Sequence, residues 1–218
     1  MTISLSDAGK RFNRDWIFRH FNYNFIAGNS YAIVGPNGSG KSTLLQVISG
    51  AVGLSEGSML SRESLAGSRE TPGLRQESGI PENFYRHISI AAPYLEVIEE
   101  MTVTEFLAFH HNFKPLLPDT SIKEIISVVG LETAVHKQIR YYSSGMKQRV
   151  KLAQAIFSDV PVILLDEPCT NLDLTGIALY QQLIETYCKD RLVVVSSNDE
   201  AEYGFCKERI NMMEYKNR

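Results

Sequence analysis

The sequence predicts an α/β fold that has a mostly parallel core sheet, an N-terminal antiparallel β subdomain and an inserted α-helical subdomain. Three observations support this prediction. The first thirty residues alternate apolar and polar positions, which is typical of antiparallel strands with one covered face. The block from Thr102 to Ile139 has apolar residues at helical spacing. From Pro161 onward, short apolar runs alternate with helical patterns, and that order produces parallel strands joined by right-handed crossovers.

The predicted elements can be placed in chain order. The alternating N-terminal stretches end at a turn over Ala27–Ser30. Residues 54–83 are rich in Ser, Gly, Glu and Arg, so we expect a surface segment between short strands, most mobile at Ser68–Glu77. The later predicted strands are Tyr31–Val34, His87–Ala92, Val162–Leu165 and Leu192–Ser196. The predicted helices are Thr43–Ile48, Thr102–Phe113, Ser121–Val129, Thr133–Ile139 and Gly176–Cys188, with breakers at Pro115, Pro118 and Gly130.

Length and composition suit one soluble domain. The chain has 218 residues, of which 44% are hydrophobic and 22% are charged. We expect residues 1–92 and 158–218 to form the core with the β subdomain, and residues 93–157 to form the helical subdomain. The net charge of −3 gives no support for a nucleic-acid partner.

Cysteine usage and hydropathy both bear on the compartment. The three cysteines have no metal-binding spacing, so we interpret them as buried small residues in a reducing compartment: Cys169, Cys188 and Cys206. No apolar run approaches the roughly 20 residues that cross a bilayer. The N-terminus lacks the apolar core of a signal peptide. We therefore expect a cytoplasmic chain, unless another subunit holds it at a membrane.

A nine-residue segment has the spacing of a phosphate-binding loop, namely Gly, four residues and then Gly-Lys-Ser/Thr. Its residues are Gly35, Pro36, Asn37, Gly38, Ser39, Gly40, Lys41, Ser42 and Thr43. The glycines allow backbone N–H groups to approach an anion closely. Lys41 can reach the β- and γ-phosphates, and the Ser42 hydroxyl can ligate Mg²⁺ at the start of a helix whose dipole favours anions. The sequence therefore predicts a P-loop nucleotide-binding fold.

A second element for phosphate chemistry follows about 120 residues later. Four apolar residues end in Asp166 and Glu167, and the C-terminal edge of a parallel strand is where open α/β sheets bind ligands. Asp166 would complete the Mg²⁺ site through ordered water. Glu167 could polarise the water that attacks the γ-phosphate.

Between these two elements lies a segment with a family resemblance. Residues 142–149, with the sequence YSSGMKQR, resemble the signature of ATP-binding-cassette (ABC) ATPases, whose usual form is LSGGQxQR. Residues 170–173, TNLD, look like the D-loop of that family. The motifs occur in the family's order over nearly the whole chain. The chain is therefore identified, by resemblance, as an ABC ATPase.

This resemblance implies a site shared between two subunits that bind ATP with Mg²⁺. In ABC proteins two such domains meet head to tail, so that the signature of one caps the γ-phosphate held by the other. On this chain the matching residues are Ser143, Ser144, Gly145 and Asp173. Ser143 to Gly145 precede a helix expected near Met146, and a helix N-terminus is a second anion site. An ordinary N-cap with a turn is the alternative for that segment.

The family also places an aromatic residue where Phe12 lies, to stack on adenine. A plain core position is the alternative for Phe12, because aromatic residues are more often core than stacking platforms.

Three positions depart from the family pattern. Pro93 stands where a glutamine normally touches Mg²⁺ and water, and proline offers neither a side-chain acceptor nor a backbone donor. Tyr94 or Glu96 could substitute through a small register shift.

Asn198 stands at the place of a histidine, and an amide can donate to a phosphate but cannot exchange a proton near neutral pH. In the signature, Ser144 replaces a glycine and Met146-Lys147 the glutamine region. We expect ATP binding to survive, with Glu167, Lys41 and Asn198 serving a hydrolysis slower than that of a full-motif relative.

The function that these features favour is the ATPase subunit of a membrane transporter. The resemblance implies a dimer around two MgATP and a separate permease docked beside Pro93, which would make the chain peripheral to the inner face of the membrane. Exposed apolar residues for that contact are expected among Tyr94, Leu95, Phe106 and Phe109, and core positions are the alternative for most of them. The alternative is a soluble ABC-type ATPase that acts as a nucleotide-gated switch on a protein partner. A small-molecule kinase would not explain the signature and the D-loop together.

Overall fold

The computed structural model describes residues 1–62 and 83–216. Within these ranges, eight strands form two sheets. In chain order the strands are β1 (Thr2–Phe12), β2 (Asp15–Ile26), β3 (Ser30–Val34), β4 (Glu56–Arg62), β5 (Ile88–Ala91), β6 (Val162–Asp166), β7 (Leu192–Ser196) and β8 (Glu208–Asn211). The α-helices of the same ranges are α1 (Lys41–Ile48), α2 (Val103–His111), α3 (Ile122–Val128), α4 (Ser144–Ile156), α5 (Leu174–Tyr187) and α6 (Glu200–Tyr203).

The core sheet is parallel throughout, in the strand order β5-β6-β7-β3-β8. Because all of its described strands run the same way, their carboxyl ends meet at one edge of the sheet. Val34, Asp166 and Ser196 therefore end three neighbouring strands at that edge. The three remaining strands form a separate antiparallel sheet in the order β2-β1-β4.

Both faces of the parallel sheet are buried, which explains the unbroken apolar runs of its strands. Along β6, Val162 and Leu164 pack in one core with α1 and the antiparallel sheet. Ile163 and Leu165 point the other way and pack in a second core with α4, α5 and the helical subdomain. Every residue of β6 and β7 is buried. This double burial anchors the edge that carries Asp166.

The helices α2 and α3 of the helical subdomain each begin with a capping box. The Thr102 side chain accepts the N–H of Glu105, whose carboxylate accepts the N–H of Thr102 in return. Ser121 and Glu124 repeat the arrangement at the start of α3. Gly130, with φ of 67°, follows α3 at the position where a left-handed residue commonly ends a helix. Sequence signals of this local kind therefore fix both ends of α3.

The predicted helix over Thr133–Ile139 is not formed, which corrects the sequence-based assignment. Two short 3₁₀ turns, Glu132–Ala134 and Ile139–Tyr141, stand there instead. The N–H of Ile139 donates to the carbonyl of Met101 at 2.8 Å. Pairing with a distant segment therefore takes a backbone group that a helix would need, and this tertiary contact overrides the local pattern.

The other boundaries lie within a few residues of the predictions. The helix after the signature begins at Ser144 rather than near Met146, and α1 begins at Lys41 rather than at Thr43. The strand β4 occupies the start of the predicted surface segment. The predicted mobility of Ser68–Glu77 falls outside the described residues. Among the described residues, none of the helices combines the length and apolar character that crossing a bilayer requires.

We expect the buried His110 to make the stability of the helical subdomain depend on pH. Its Nε2 lies 2.8 Å from the Ser158 hydroxyl, and burial, helped by Lys114 and His111, lowers the pKa of His110 from 6.5 to about 4. Between these values the unfolded chain binds more protons than the folded chain. The free energy of unfolding is therefore expected to fall as the pH falls from 6.5 towards 4.

We expect His110→Gln, which retains a donor towards Ser158, to flatten that loss. Thermal unfolding followed between pH 7 and pH 4.5 should show a smaller fall of the melting temperature than in the wild type. The exposed His136, changed to Gln, serves as the matched control. An unchanged pH profile in His110→Gln would contradict the assignment.

Candidate nucleotide-binding site

Residues 35–40 form a tight loop between β3 and α1, and its shape depends on glycine. Gly35, Gly38 and Gly40 have φ of 146°, 76° and 102°. A Cβ on Gly40 would lie 2.6 Å from Cγ2 of Ile17, and a Cβ on Gly35 would lie 2.8 Å from the Ser39 hydroxyl. Side chains at these two positions would therefore meet both strain and steric conflict.

Lys41 holds a positive charge against this loop. The residue is buried, with a relative exposure of 5%. The amine donates to the carbonyl of Gly35 at 2.8 Å and lies 3.5 Å from that of Pro36. No acidic residue lies in the first turn of α1, and Gly40 provides no side-chain cap. The helix N-terminus and the lysine thus offer an anion several donors that other side chains have not taken.

Two carboxylates lie at the adjacent end of β6. Asp166 is 2% exposed, and its Oδ1 has no hydrogen-bond partner among the described residues. Glu167 has the rare backbone φ of 44°, and its N–H donates to the carbonyl of Ser196 at 2.9 Å. A non-glycine residue in this region is strained, and such residues cluster at functional sites.

The residues at this edge suit a magnesium ion. A buried carboxylate oxygen without a partner is costly unless a ligand satisfies it, and Oδ1 of Asp166 is such an oxygen. Ser42, one residue into α1, adds a hydroxyl, and hard cations such as Mg²⁺ take oxygen ligands together with water. Ser42 and Asp166 would hold the ion, which would neutralise phosphate charge when bound.

Asn198, which follows β7, hydrogen-bonds two residues of the phosphate loop. Its Oδ1 accepts the N–H of Gly35 at 3.3 Å, and its Nδ2 donates to the side-chain oxygen of Asn37 at 3.0 Å. Asn198 itself is exposed. An amide at this place can donate to a phosphate oxygen after releasing Asn37, but it provides no acid or base.

The signature segment contacts the D-loop segment rather than the phosphate loop of its own chain. Ser143 is the N-cap of α4, and its hydroxyl accepts the N–H of Met146 at 3.2 Å. A Cβ on Gly145 would lie 2.9 Å from the carbonyl oxygen of Asn171. Ser143 and Ser144 are exposed, and within the described ranges no hydrogen bond joins the segment to residues 35–43. Asp173 caps α5 by accepting the N–H of Gly176 at 2.8 Å.

Phe12 is a surface residue, so the core alternative is wrong. Its side chain is 47% exposed at the end of β1, and the Lys10 amine lies 4.9 Å from the ring centroid. On the neighbouring strand β2, Ile17 touches Gly40 of the phosphate loop. The hairpin end thus leaves an aromatic face open on the sheet that borders the loop, while stacking on adenine stays a prediction.

The model of the ABC transporter family matches residues 18–170, which include the phosphate loop, the signature segment and β6. The chain belongs to the ABC transporter family. It is 26% identical over 212 residues to the uncharacterized ABC transporter ATP-binding protein YybJ of Bacillus subtilis, with 96% of this chain and 92% of that protein covered. It is 29% identical over 206 residues to the cytochrome c biogenesis ATP-binding export protein CcmA of Rhizobium johnstonii, with 92% and 89% covered. Among solved structures, the dimeric structure of MJ0796, a bacterial ABC transporter cassette, matches with a TM-score of 0.75 at 21% identity, over 96% of this chain and 94% of that one.

The family match and the structural neighbour confirm the predicted resemblance and fold class. This ABC chain therefore carries an ATP-binding domain of a class that has ATPase activity in general.

Three groups near the site were missed when the sequence was interpreted. Glu202 is buried, burial raises its pKa, and its Oε1 accepts the N–H of Cys169 at 2.6 Å. The Lys216 amine donates to the carbonyl of Gly38 at 2.9 Å. Burial raises the pKa of Tyr94, and the Gln46 side chain opposes that rise. Of these, only Gln46 had a local signal, since it lies one turn after Ser42 on the same face of α1.

The cysteines match the sequence-based interpretation in their chemistry. In the structure all three thiols are free. Burial raises the pKa of Cys169, Cys188 and Cys206 to about 12, which leaves them protonated and poorly nucleophilic. Cys206 is only half-buried, while the other two are buried.

The glycine geometry generates a direct test of the loop. Gly40→Ala forces a left-handed alanine whose Cβ meets Ile17, and such strain costs about 1–3 kcal/mol, so we expect ATP affinity to fall about tenfold or more. Titration with a fluorescent ATP analogue measures it. Gly53→Ala is the matched control, because its added Cβ meets nothing within 4 Å. Wild-type affinity in Gly40→Ala would refute this account of the loop.

Proposed function

We propose that this chain is the ATP-hydrolysing subunit of a membrane transporter, which closes as a head-to-tail dimer of two copies around two MgATP and acts on a separate permease. The observation that carries the proposal is the separation of two anion-binding elements on one chain. Residues 35–43 form one element, and Ser143 to Gly145 at the start of α4 form the other.

The second element has the properties of an anion site that its own chain does not use. The helix α4 has 13 residues, which gives its N-terminus a partial positive charge. Ser143 and Ser144 are exposed there, and Asn171 of the D-loop lies against Gly145. A second copy, rotated head to tail, would bring this surface to the phosphate loop of its partner, so that each copy completes the site of the other.

Hydrolysis would use the groups at the carboxyl edge of the core sheet. Lys41 would neutralise the terminal phosphates, and Asp166 with Ser42 would hold Mg²⁺. Glu167, only partly buried beside Asp166, would accept a hydrogen bond from the attacking water. Asn198 would donate to the phosphate without exchanging a proton, so we propose a turnover below about 10 per second.

A permease contact is supported by apolar residues beside Pro93. Tyr94, Leu95 and Ile98 are 45%, 37% and 36% exposed in the turn after β5, and Phe109 is 42% exposed at the end of α2. Phe106, which the sequence analysis also assigned to this surface, is a core residue with 5% exposure. Phe106 and Phe109 are three residues apart and lie on the same side of α2, so their spacing could not show that the buried face includes the first and excludes the second.

Complementation tests the shared site. Lys41→Ala removes the phosphate ligand, and Ser144→Asp places a carboxylate where a phosphate is expected while remaining favourable at a helix N-terminus. Each variant alone should hydrolyse no ATP above background. An equimolar mixture should recover about a quarter of wild-type activity, because half of the dimers would be mixed and each of these would retain one intact site.

Ser144→Asn is the neutral control and should retain most of the activity, and wild-type turnover comes from the same assay. Full activity of Ser144→Asp alone would contradict a shared site. Failure of the mixture to exceed the separate variants would also contradict it.

A second experiment tests the permease contact. Ile98→Asp introduces a charge at the proposed contact, where burying an unpaired carboxylate costs several kcal/mol, so the membrane-bound fraction should fall at least about fivefold. Immunoblots of membrane and supernatant fractions from cells that produce the chain at its native level measure this. Ile26→Asp is the matched control, since Ile26 is 48% exposed at the end of β2. A wild-type chain found only in the supernatant would favour the soluble switch instead.

A further inference from the structure

The turn that follows β6 keeps Glu167 in a strained backbone conformation. Glu167 has a φ of 44°, which a residue with a Cβ rarely adopts. Its N–H donates to the carbonyl of Ser196 at 2.9 Å, and its carbonyl accepts the N–H of Thr170 at 3.1 Å. Strain of this kind persists only where the surrounding structure holds the residue in place. The contacts of the next two residues in the turn, Pro168 and Cys169, are therefore part of what holds Glu167.

Gln148 holds this turn from the side of α4, the helix that begins in the signature segment. Its Nε2 donates to the carbonyl of Pro168 at 2.7 Å, and the residue is only 3% exposed. A buried amide is costly unless it is hydrogen-bonded, so this contact fixes the side chain as well as the carbonyl.

Glu202 holds the same turn from the side of α6. Its Oε1 accepts the N–H of Cys169 at 2.6 Å, and the residue is 5% exposed. The backbone carbonyl of Glu202 accepts the hydroxyl of Tyr180, a fully buried residue of α5, at 2.8 Å. The helix α6 is thereby tied to α5, and the carboxylate reaches the turn from an anchored backbone.

The two side chains bind the two ends of a single peptide group. The carbonyl of Pro168 and the N–H of Cys169 belong to the peptide bond that joins these residues, immediately after Glu167. Because a peptide group is planar, a bond to its oxygen and a bond to its hydrogen together fix the rotation of the whole plane. The turn is thus held in one form by a donor from α4 and an acceptor from α6.

We propose that Gln148 and Glu202 are positioning residues for hydrolysis, which hold Glu167 in place by fixing the peptide group between Pro168 and Cys169. This inference rests on the proposed role of Glu167 towards the attacking water. Loss of either bond would let the strained backbone of Glu167 relax and move its carboxylate, and a displacement of about 1 Å can cost about a hundredfold in rate. Nucleotide binding, which the proposed function assigns to residues 35–43, would be retained.

The test separates turnover from binding in purified chains without a permease. Gln148→Met removes the donor and Glu202→Met removes the acceptor, each with little change in side-chain length. The kcat for MgATP is expressed per chain that binds a fluorescent ATP analogue, so that an unfolded fraction does not count. We expect each variant to lower kcat about tenfold or more and to keep the affinity for the analogue within about twofold of the wild type, because the lost contact acts on the transition state.

Two control variants accompany these changes. Gln181→Met removes an exposed amide that donates to the carbonyl of Ala201 at 3.0 Å, so it breaks a bond of the same kind away from the turn. Glu202→Gln retains a side-chain oxygen that can accept the N–H of Cys169. Both controls should turn over ATP at about the wild-type rate.

Combination with Glu167→Gln distinguishes positioning from a general loss of structure. If the two side chains act through Glu167, adding Gln148→Met or Glu202→Met to Glu167→Gln should lower the residual turnover no further. A further tenfold loss in these double variants would overturn the inference. Wild-type kcat in both single Met variants would also overturn it, as would an equal loss of kcat in Glu202→Gln and Glu202→Met.

A different set of results concerns the proposed function. Full turnover by Glu167→Gln, or a wild-type chain that binds the analogue but hydrolyses no ATP, would overturn the proposed hydrolysis and this inference with it. Loss of turnover in Glu167→Gln together with unchanged turnover in the Met variants would overturn this inference alone.

Discussion

The parallel pairing of β7 with β6 and β3 is the constraint on which the site depends. Main-chain hydrogen bonds place Val195 beside Leu165 on one side and beside Ala32 on the other. The bond from the N–H of Glu167 to the carbonyl of Ser196 extends this ladder one residue beyond the strands. Backbone pairing fixes the carboxyl edge of the core sheet. The loops that follow β3, β6 and β7 therefore start from fixed positions, which places their polar groups. The two cores bury both faces of the strands that end at this edge.

The sequence could predict what is local. The phosphate loop, both capping boxes and the buried strands depend on residues within a few positions of one another, so spacing alone identifies them. The carboxylates after β6 could be assigned because parallel strands end at a common edge. The same reasoning could not separate Phe106 from Phe109, since periodicity shows that a helix is amphipathic but not where its buried face stops. It also missed the 3₁₀ turns near Ile139, where bonds to a distant segment decide the backbone.

The contacts of Asn198 and Pro93 show why a motif departure is hard to interpret from sequence. Asn198 reaches the phosphate loop through a pair of amide hydrogen bonds, so the replacement preserves proximity while it removes proton exchange. The carbonyl of Pro93 accepts a hydrogen bond from Lys151 across nearly sixty residues of chain, and no local pattern contains that contact. A missing residue at one position therefore says little about the region around it. The neighbouring elements decide which polar groups remain there.

Glu202 connects the helix α6 to the turn that follows β6. Its carboxylate ties α6 to the N–H of Cys169, in the turn after Glu167. That helix directly follows Asn198, which is bonded to Gly35, and the turn runs on to Asn171, whose carbonyl lies against Gly145. One subunit thus contains a linkage that starts at its own phosphate loop and ends at the motif it would present to another copy. The linkage consists of two hydrogen bonds and one packing contact, connected by short stretches of chain.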